Sequence, residues 1–339
     1  MRVKFLLILF YCLFVSISFS QKEVINDITH FQIYHKNDTI DFIVADTQFD
    51  KRKPILLFCQ GSQPIPLVFQ YPNGKQWIYG GGISNFNYKE LSKDFYIVVV
   101  SMPNTPFIAK TNQLNNNFAF IEDTTNRHSY VPSYLIRDRI ETYIERANTV
   151  LDFIFSQKWA IKKELTVLGH SQGAKVALGI TLSRKDVQYL GLLSFNPFGR
   201  MDEKIRQLRK DVDNRKLNWE YADKKMREYY QFVKDYNNKD TLRKHPEYIS
   251  WQSFSKNFIE DIVSVKCPIY IAYGTEDLSA ELCDLLPIYF EGKEKHNYVL
   301  KRYIGLDHNF FPKDSSNDPK ISRWPEVVSK FHQWILSKQ

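Results

Sequence analysis

The 339-residue sequence predicts an α/β fold, with a mostly parallel central sheet and helices on both faces. Short apolar runs recur along the chain, and helical or long polar stretches separate them. Strands that alternate with helices in this way are typical of a parallel sheet covered on both faces. A hydrophobic content of 43% supplies a large core, which argues against general disorder.

The first predicted element is a segment of alternating polar and apolar residues at 24–50, which favours an antiparallel hairpin at the sheet edge. Further strands are predicted at about residues 54–59, 95–101, 164–168, 190–195, 267–273 and 298–304. Apolar residues at helical spacing predict a helix over 138–157, before the strand at 164–168. The last predicted helix runs from about Trp324 to Leu336.

A Gly-His-Ser-Gln-Gly motif joins the strand at 164–168 to a helix rich in small residues. Ser171, at its centre, is expected on a sharp strand-to-helix turn that exposes its hydroxyl. Gly169 and Gly173 stand two residues to either side, where only glycine tolerates the crowding of such a turn. The helix that follows directs free N–H groups and a positive dipole end at this position. The motif therefore predicts a serine nucleophile.

Two later strands each end in a turn that carries a polar side chain. The strand at 267–273 leads to Asp277, and the strand at 298–304 leads to His308. Open parallel sheets place their active sites at the carboxyl ends of strands, so both side chains are expected near Ser171. Asp277 is the favoured acid, and the adjacent Glu276 is the second choice.

The chain resembles the α/β-hydrolase family, which uses nucleophile, acid and base in this order. The resemblance covers nearly all of the chain after its first twenty or so residues. It implies that His308 acts as the base and Asp277 as its partner. It also implies an oxyanion hole made by main-chain N–H groups, which we assign to Gln172 and to either Ser62 or Gln63.

The segment 199–261 exceeds what the core of this fold needs, and we interpret it as a helical lid inserted after the sixth strand. Residues 21–198 and 262–339 then form the hydrolase core. Aromatic residues at helical spacing in the insertion are candidates for the substrate pocket. They are Trp219, Tyr229, Tyr230, Trp251 and Phe254.

The favoured function is an exported serine hydrolase that cleaves a carboxylic ester through an acyl-enzyme. A peptidase with the same triad is the alternative, and a ligand-binding module without catalysis is a second one. The partner is accordingly a small ester or a short peptide. The histidines lack metal-ligand spacing, so neither metal nor cofactor is expected. The net charge of +8 comes from scattered residues, which favours a solvated surface over nucleic-acid binding.

The amino terminus has the pattern of a secretory signal peptide over residues 1–20. Basic residues precede an apolar run at 5–19, and Ser18 and Ser20 are small enough for a signal peptidase. The apolar run is shorter than the ~20 residues that span a bilayer. We expect cleavage after Ser20, export to the periplasm or the medium, and no stable membrane span.

Overall fold

A computed structural model describes residues 18–123, 125, 130–313 and 319–338. Its strands are β1 (Ser18–Ile25), β2 (Ile28–His35), β3 (Asp38–Val44), β4 (Lys53–Cys59), β5 (Val68–Gln70), β6 (Gln76–Ile78), β7 (Tyr96–Val100), β8 (Ile108–Lys110), β9 (Ala160–His170), β10 (Val187–Leu193), β11 (Ile269–Gly274) and β12 (Tyr298–Tyr303). Its α-helices are α1 (Tyr88–Leu91), α2 (Pro132–Leu135), α3 (Ile140–Ser156), α4 (Gln172–Ser183), α5 (Arg200–Asp213), α6 (Trp219–Asn237), α7 (Lys239–Lys244), α8 (Ile249–Phe254), α9 (Ile259–Ser264), α10 (Leu286–Glu291) and α11 (Trp324–Leu336). Short 3₁₀ helices lie at Gly80–Asn85, Thr111–Gln113, Pro246–Tyr248, Glu281–Leu285 and Pro319–Ile321.

Within the described residues, nine strands form one sheet in the order β1-β2-β3-β7-β4-β9-β10-β11-β12. The six strands from β7 to β12 in this order run parallel to one another. The first three pair antiparallel, and β3 joins β7 antiparallel. The predicted mostly parallel sheet is therefore confirmed, and its edge carries three antiparallel strands where a hairpin was predicted.

Both faces of the sheet are apolar because successive residues of each central strand point to opposite sides. Ile55 and Leu57 of β4 pack into one buried cluster, with residues of α3, α4, α9 and α10. Leu56 and Phe58 pack into the other, with residues of α1 and α11. Helices thus cover both faces, as the sequence predicts.

A second, smaller sheet was not predicted from the sequence. It has the strand order β6-β5-β8, and each of its strands is three residues long. Phe69 of β5 packs in a small cluster with Ala109 and Leu114. Its strands lie between β4 and β9 in the sequence: β5 and β6 precede β7, and β8 follows it.

The longest purely helical stretch of the described chain joins β10 to β11 and contains α5 to α9. Helices α5 and α6 pack on each other through a cluster of their own, built around Leu208, Ala222 and Met226. Among the described residues, no helix is both long enough and apolar enough to cross a bilayer. The predicted signal peptide lies outside the described residues, apart from its last three positions, where β1 begins.

Candidate active site

Ser171 occupies the turn between β9 and α4, at the carboxyl end of the central parallel strands. Its backbone has φ 57° and ψ −123°, a conformation that side-chain-bearing residues rarely adopt. The Ser171 N–H donates to the carbonyl of Leu193 at 2.9 Å, and the Ser171 carbonyl accepts from Ala174 N–H at 3.1 Å. The neighbouring strand and the first helical turn together hold this strained backbone in place.

Gly169 and Gly173 are glycine because backbone atoms leave no room for a Cβ. A Cβ on Gly169 would lie 2.2 Å from the carbonyl oxygen of Gly173. A Cβ on Gly173 would lie 2.1 Å from the carbonyl oxygen of Cys59 and 2.3 Å from that of Gln60. The crowding predicted from the motif is therefore present, and it comes from strand β4 and from α4 itself.

The structure brings Ser171, His308 and Asp277 into one hydrogen-bonded chain. His308 Nε2 lies 2.8 Å from Ser171 Oγ, and His308 Nδ1 lies 2.9 Å from Asp277 Oδ2. A carboxylate can only accept, so Nδ1 carries the proton and Nε2 is free to accept from the serine hydroxyl. This is the arrangement that a general base needs toward a nucleophile.

The loops after β11 and β12 are tied together, which explains why Asp277 and His308 meet. Glu276 N–H donates to the carbonyl of Leu306 at 2.9 Å, and Thr275 N–H donates to that of Tyr303 at 3.0 Å. Asp307 accepts from two backbone N–H groups of its own turn through Oδ1. Backbone bonding therefore sets the separation of the two loops.

Asp277 is almost fully buried, at 2% exposure. Burial opposes its charge, but hydrogen bonds from His308 and Ser279 outweigh burial and lower the pKa of the Asp277 carboxyl. Ser279 donates to Asp277 Oδ1 through both N–H (3.0 Å) and Oγ–H (2.7 Å), and its Oγ lies 2.9 Å from His308 Nδ1. Sequence reasoning missed Ser279, whose only signal is its place two residues after the acid.

Glu276, the second choice for the acid, points elsewhere. Its carboxylate pairs with Lys313 Nζ at 2.5 Å. The hydrogen bond from Lys313 lowers the pKa of the Glu276 carboxyl. Asp277 alone of these two neighbours contacts His308.

His308 is held by its main chain as well as by its ring. Its carbonyl oxygen accepts from His170 Nε2 and from Ser194 Oγ, each at 2.9 Å. Burial lowers the pKa of His170 to about 3, so this ring stays neutral. Burial would also lower the pKa of His308, but the hydrogen bond to Asp277 and the charge of that carboxylate outweigh it and raise the pKa.

Backbone N–H groups are available beside the Ser171 hydroxyl. Within the described residues, the N–H groups of Gln172 and Ser62 make no hydrogen bond. Ser62 lines the cavity that contains Ser171, whereas Gln63 does not line it. Gln63 instead takes a positive φ of 85° in the turn that follows.

A cavity of about 580 Å³ opens onto Ser171 and His308. One side belongs to the loops at the carboxyl ends of the strands. The other side belongs to the helical stretch between β10 and β11, through Arg200, Glu203, Lys204, Gln207, Trp251 and Phe254. The lining is therefore both charged and aromatic.

Only two of the five aromatic residues predicted for the pocket line this cavity. They are Trp251 and Phe254 of α8. Trp219 is half exposed at the start of α6, where Arg209 lies over its ring. Tyr229 packs in the cluster between α5 and α6, and Tyr230 is half exposed. No residue of α6 is in the cavity lining, and Tyr229 serves the packing of α6 on α5 instead.

A buried ring of polar side chains, which sequence reasoning missed, joins the helical stretch to the residue after Ser171. Asp138 accepts from Gln172 Nε2 (2.9 Å), Ser250 Oγ (2.6 Å) and Tyr143 Oη (2.8 Å). Arg200 closes the ring by donating to Ser250 Oγ at 3.0 Å and to Gln172 Oε1. The partners are far apart in sequence and follow no period, so no sequence pattern could reveal them.

In the described part of the chain, no group of three or more His, Cys, Asp or Glu side chains is placed to hold a metal ion. The reactive side chains that meet at the site are a serine, a histidine and a carboxylate. These groups can form a nucleophile, a base and a buried anion that orients the base.

Comparison with known proteins relates the chain to others by its fold. The sequence matches no protein-family model and no curated protein. A solved protein of Bacteroides ovatus ATCC 8483, assigned as a dipeptidyl aminopeptidase IV, is 12% identical with a TM-score of 0.53, over 90% of this chain and 35% of that one. The acylaminoacyl peptidase of Pyrococcus horikoshii is 12% identical with a TM-score of 0.51, over 93% of this chain and 41% of that one.

This chain thus spans between about a third and two fifths of the length of these two structures. At such identities the likeness concerns the fold. The solved structures similar to this chain are α/β-hydrolase fold members, and the chain has that fold.

Proposed function

We propose that the chain is a serine hydrolase that cleaves carboxylic esters, with Ser171 as nucleophile, His308 as base and Asp277 as the acid that orients it. The observation that carries this proposal is the continuous chain of contacts from Ser171 Oγ to His308 Nε2 (2.8 Å) and from His308 Nδ1 to Asp277 Oδ2 (2.9 Å). The α/β-hydrolase fold around it supports the same conclusion.

In the first half-reaction, Ser171 Oγ attacks the ester carbonyl carbon while its proton moves to His308 Nε2. The carbonyl oxygen becomes an oxyanion. When the tetrahedral intermediate collapses, the bond to the alcohol oxygen breaks and the alcohol leaves with the proton from Nε2. Water then attacks the acyl-Ser171 ester by the same route, which releases the acid and restores the serine.

Asp277 and Ser279 keep His308 ready for this exchange. Asp277 Oδ2 accepts a hydrogen bond from His308 Nδ1–H, which leaves Nε2 unprotonated toward Ser171. The buried carboxylate also stabilises the imidazolium that forms when Nε2 takes the serine proton. Ser279 fixes the other carboxylate oxygen, so the acid has one orientation.

The oxyanion is stabilised by the N–H groups of Gln172 and Ser62. Both are free of other hydrogen bonds in the described chain, and both residues line the cavity beside Ser171. Ser62 is preferred to Gln63 on this ground. Each such donor contributes about 2.7–4 kcal/mol of transition-state stabilisation.

Residues 199–261 act as a lid over a core formed by 21–198 and 262–339. The lid follows β10, and Arg200, Trp251 and Phe254 make one side of the cavity. Helix α9 (Ile259–Ser264) crosses the boundary at 261, so its packing against the core anchors the end of the lid. Residues 1–20 act as a signal peptide that directs export.

Peptide hydrolysis is the second candidate function. The position of Glu203 in the cavity lining favours it. Of the lid carboxylates, only Glu203 lines the cavity, and it forms no ion pair within the described residues. A carboxylate in that place can bind the free amino group of a peptide. Ester cleavage is preferred because a single carboxylate is a sparse site for an ammonium group, which offers three donors.

The proposal is tested by comparing a short-chain nitrophenyl ester with an aminoacyl nitroanilide as substrates. The ester should be hydrolysed far faster by the wild type and should not be turned over by Ser171→Ala. Ser264→Ala, at an exposed serine of α9, is the control and should behave as the wild type. Faster cleavage of the anilide would support the peptidase, and turnover of either substrate by Ser171→Ala would overturn the assignment of the nucleophile.

A further inference from the structure

Two basic side chains with little exposure lie in the wall of the catalytic cavity. Lys175 is 4% exposed and stands on α4 one turn beyond Ser171. Arg200 is half-buried and opens α5 at the start of the helical stretch. Both line the cavity that contains Ser171 and His308.

Neither cation contacts a carboxylate within the described residues. Lys175 Nζ donates to the carbonyl of Phe254 at 2.7 Å and lies 5.2 Å from the centre of the Phe258 ring. Arg200 donates to Ser250 and Gln172, and its guanidinium lies 4.9 Å from the centre of the Phe254 ring. Neutral oxygens and aromatic rings are therefore their immediate neighbours.

The carboxylates around the cavity are engaged elsewhere. Asp277 pairs with His308, Glu276 pairs with Lys313, and Asp307 accepts from backbone N–H groups of its own turn. Asp138 shares the partners Gln172 and Ser250 with Arg200 and forms no ion pair with it, but the charges of Asp138 and Glu203 both favour the charged guanidinium. Glu203 is the remaining acidic side chain in the lining, and it makes no ion pair in the described chain.

Buried charges in proteins are normally paired, because an isolated one loses its hydration without compensation. Burial and the nearby Arg200 lower the pKa of Lys175 to about 7, although the charges of Glu203 and Asp202 oppose this shift. An anion that enters the cavity would give both cations a direct partner, which no carboxylate of the described residues supplies.

We infer that Lys175 and Arg200 form a subsite for a carboxylate on the substrate, so the ester cleaved at Ser171 carries a free acid group. The inference rests on the proposed function and names its substrate class. Lys175 lies on the helix that Ser171 caps, and both residues line the same cavity. A substrate held by both therefore has a short spacer between the acid group and the scissile ester. The acid group belongs either to the acyl part or to the leaving alcohol.

The test compares substrates that differ only in carboxylate against carboxamide. Ethyl hydrogen glutarate and ethyl glutaramate carry the difference on the acyl side. The pair 3-acetoxybenzoate and 3-acetoxybenzamide carries it on the leaving group. The wild type should prefer the carboxylate in one pair by about 10-fold to 100-fold in kcat/KM. The pair that shows the preference identifies whether the acid group belongs to the acyl part or to the leaving alcohol.

Lys175→Met keeps the length of the side chain and removes its charge. It should bring the ratio of kcat/KM for the carboxylate to kcat/KM for the carboxamide down toward one. Lys185→Met removes the same charge at an exposed position just after α4 and should leave the ratio unchanged. Equal kcat/KM values within both pairs in the wild type would overturn the inference. So would a preference that survives in Lys175→Met.

Binding to Ser171→Ala separates this inference from the proposed function. Glutarate should bind Ser171→Ala in a calorimetric titration, with the affinity reduced at least about 10-fold when Lys175→Met is added. If no ester is hydrolysed yet glutarate binds in this way, the subsite stands and the proposed function fails. If glutarate binds neither protein, the subsite is wrong whatever the hydrolysis shows. Circular dichroism of each variant establishes that it is folded.

Discussion

At the scale of single residues, the backbone of Ser171 is the most constrained feature of the site. A non-glycine residue at φ 57° and ψ −123° costs on the order of 1–3 kcal/mol, and surrounding packing must hold it there. Gly169 and Gly173 permit that packing, because β4 and α4 approach them too closely for any side chain. The strain directs the hydroxyl toward His308.

Gly173→Ala should therefore be strongly destabilising. The new Cβ would meet the carbonyl oxygens of Cys59 and Gln60 at 2.1 and 2.3 Å, and backbone atoms cannot move aside as a flexible side chain can. We expect a loss of about 1–3 kcal/mol in the free energy of unfolding, measured by urea denaturation. Gly292→Ala is the matched control, because a Cβ there meets nothing closer than 3.6 Å. That variant should be neutral or slightly stabilising, and equal losses in both variants would contradict the account.

The pH dependence of kcat/KM should report His308. Only the neutral ring can accept the Ser171 proton, so activity should rise with pH through the pKa of this group. Asp277 raises that pKa, so the midpoint should lie above the ordinary histidine value of about 6.5. In Asp277→Asn the midpoint should fall, and kcat should drop by about 10⁴-fold because Nδ1 loses its fixed acceptor.

Glu276→Gln is the control for this profile. Glu276 is adjacent in sequence but pairs with Lys313, so its neutralisation should leave kcat within a few-fold of the wild type and the midpoint almost unmoved. If Glu276→Gln instead removed activity and Asp277→Asn did not, the roles of the two acids would be reversed.

At the scale of elements, three loops at the carboxyl ends of β9, β11 and β12 meet at one point. Sequence alone could predict this meeting, because each apolar run ends in a turn and parallel strands end at a common edge. The placement of Ser171, Asp277 and His308 follows from local patterns of this kind. The side-chain partners of Gln172 could not be predicted. Gln172 bonds to Asp138, which also bonds to Ser250, and residues so far apart in sequence follow no periodic pattern.

The ring around Asp138 links α3, α4, α5 and α8, and breaking it should disturb both stability and catalysis. Asp138→Asn introduces an N–H₂ group among side chains that donate to this position, and it removes a negative charge that favours the charged Arg200 guanidinium. We expect a loss of about 1–3 kcal/mol in the free energy of unfolding. We also expect a lower kcat, because the N–H of Gln172 is one of the two proposed oxyanion donors.

The control for Asp138→Asn is Asp213→Asn, at the exposed last residue of α5. It removes the same charge and should change the free energy of unfolding by no more than about 0.5 kcal/mol. An Asp138→Asn variant with wild-type stability and wild-type kcat would mean that the ring holds neither the helical stretch nor Gln172.

The small sheet of β5, β6 and β8 marks the limit of prediction at this scale. Three-residue strands are too short for alternation to distinguish them from loops. Residues 199–261 were predicted to be helical, and three of the five aromatic candidates there, Trp219, Tyr229 and Tyr230, do not line the cavity. Helical spacing shows that Tyr229 lies on a packed face, and it does not show which element that face contacts.

At the scale of the whole molecule, the apolar content of the central strands determines the architecture. Both faces of β4 and β7 are buried, so helices must cover both sides. This is why the fold class, the helix at 138–157 and the last helix, Trp324–Leu336, could be predicted from sequence. The antiparallel edge was predicted less completely, because its first strand begins at Ser18 within the proposed signal peptide.

Export should yield a mature chain that begins at Gln21. Cleavage after Ser20 would leave residues 21–25 of β1 paired with β2, since Gln21 lies opposite Gln32 in the register. Mass spectrometry of the protein recovered from the periplasm or medium of a secreting host should find this amino terminus. A chain that keeps residues 1–20 and stays with the cells would contradict the proposal.

The proposed function requires Ser171 to be an activated nucleophile. It is tested most directly by mass spectrometry after exposure to a serine-directed fluorophosphonate, with wild type, Ser171→Ala and Ser264→Ala treated alike. A single adduct is expected on Ser171, lost in Ser171→Ala, retained in Ser264→Ala, and formed more slowly below the pKa of His308. A folded wild type that forms no adduct, or an adduct that persists in Ser171→Ala, would contradict it.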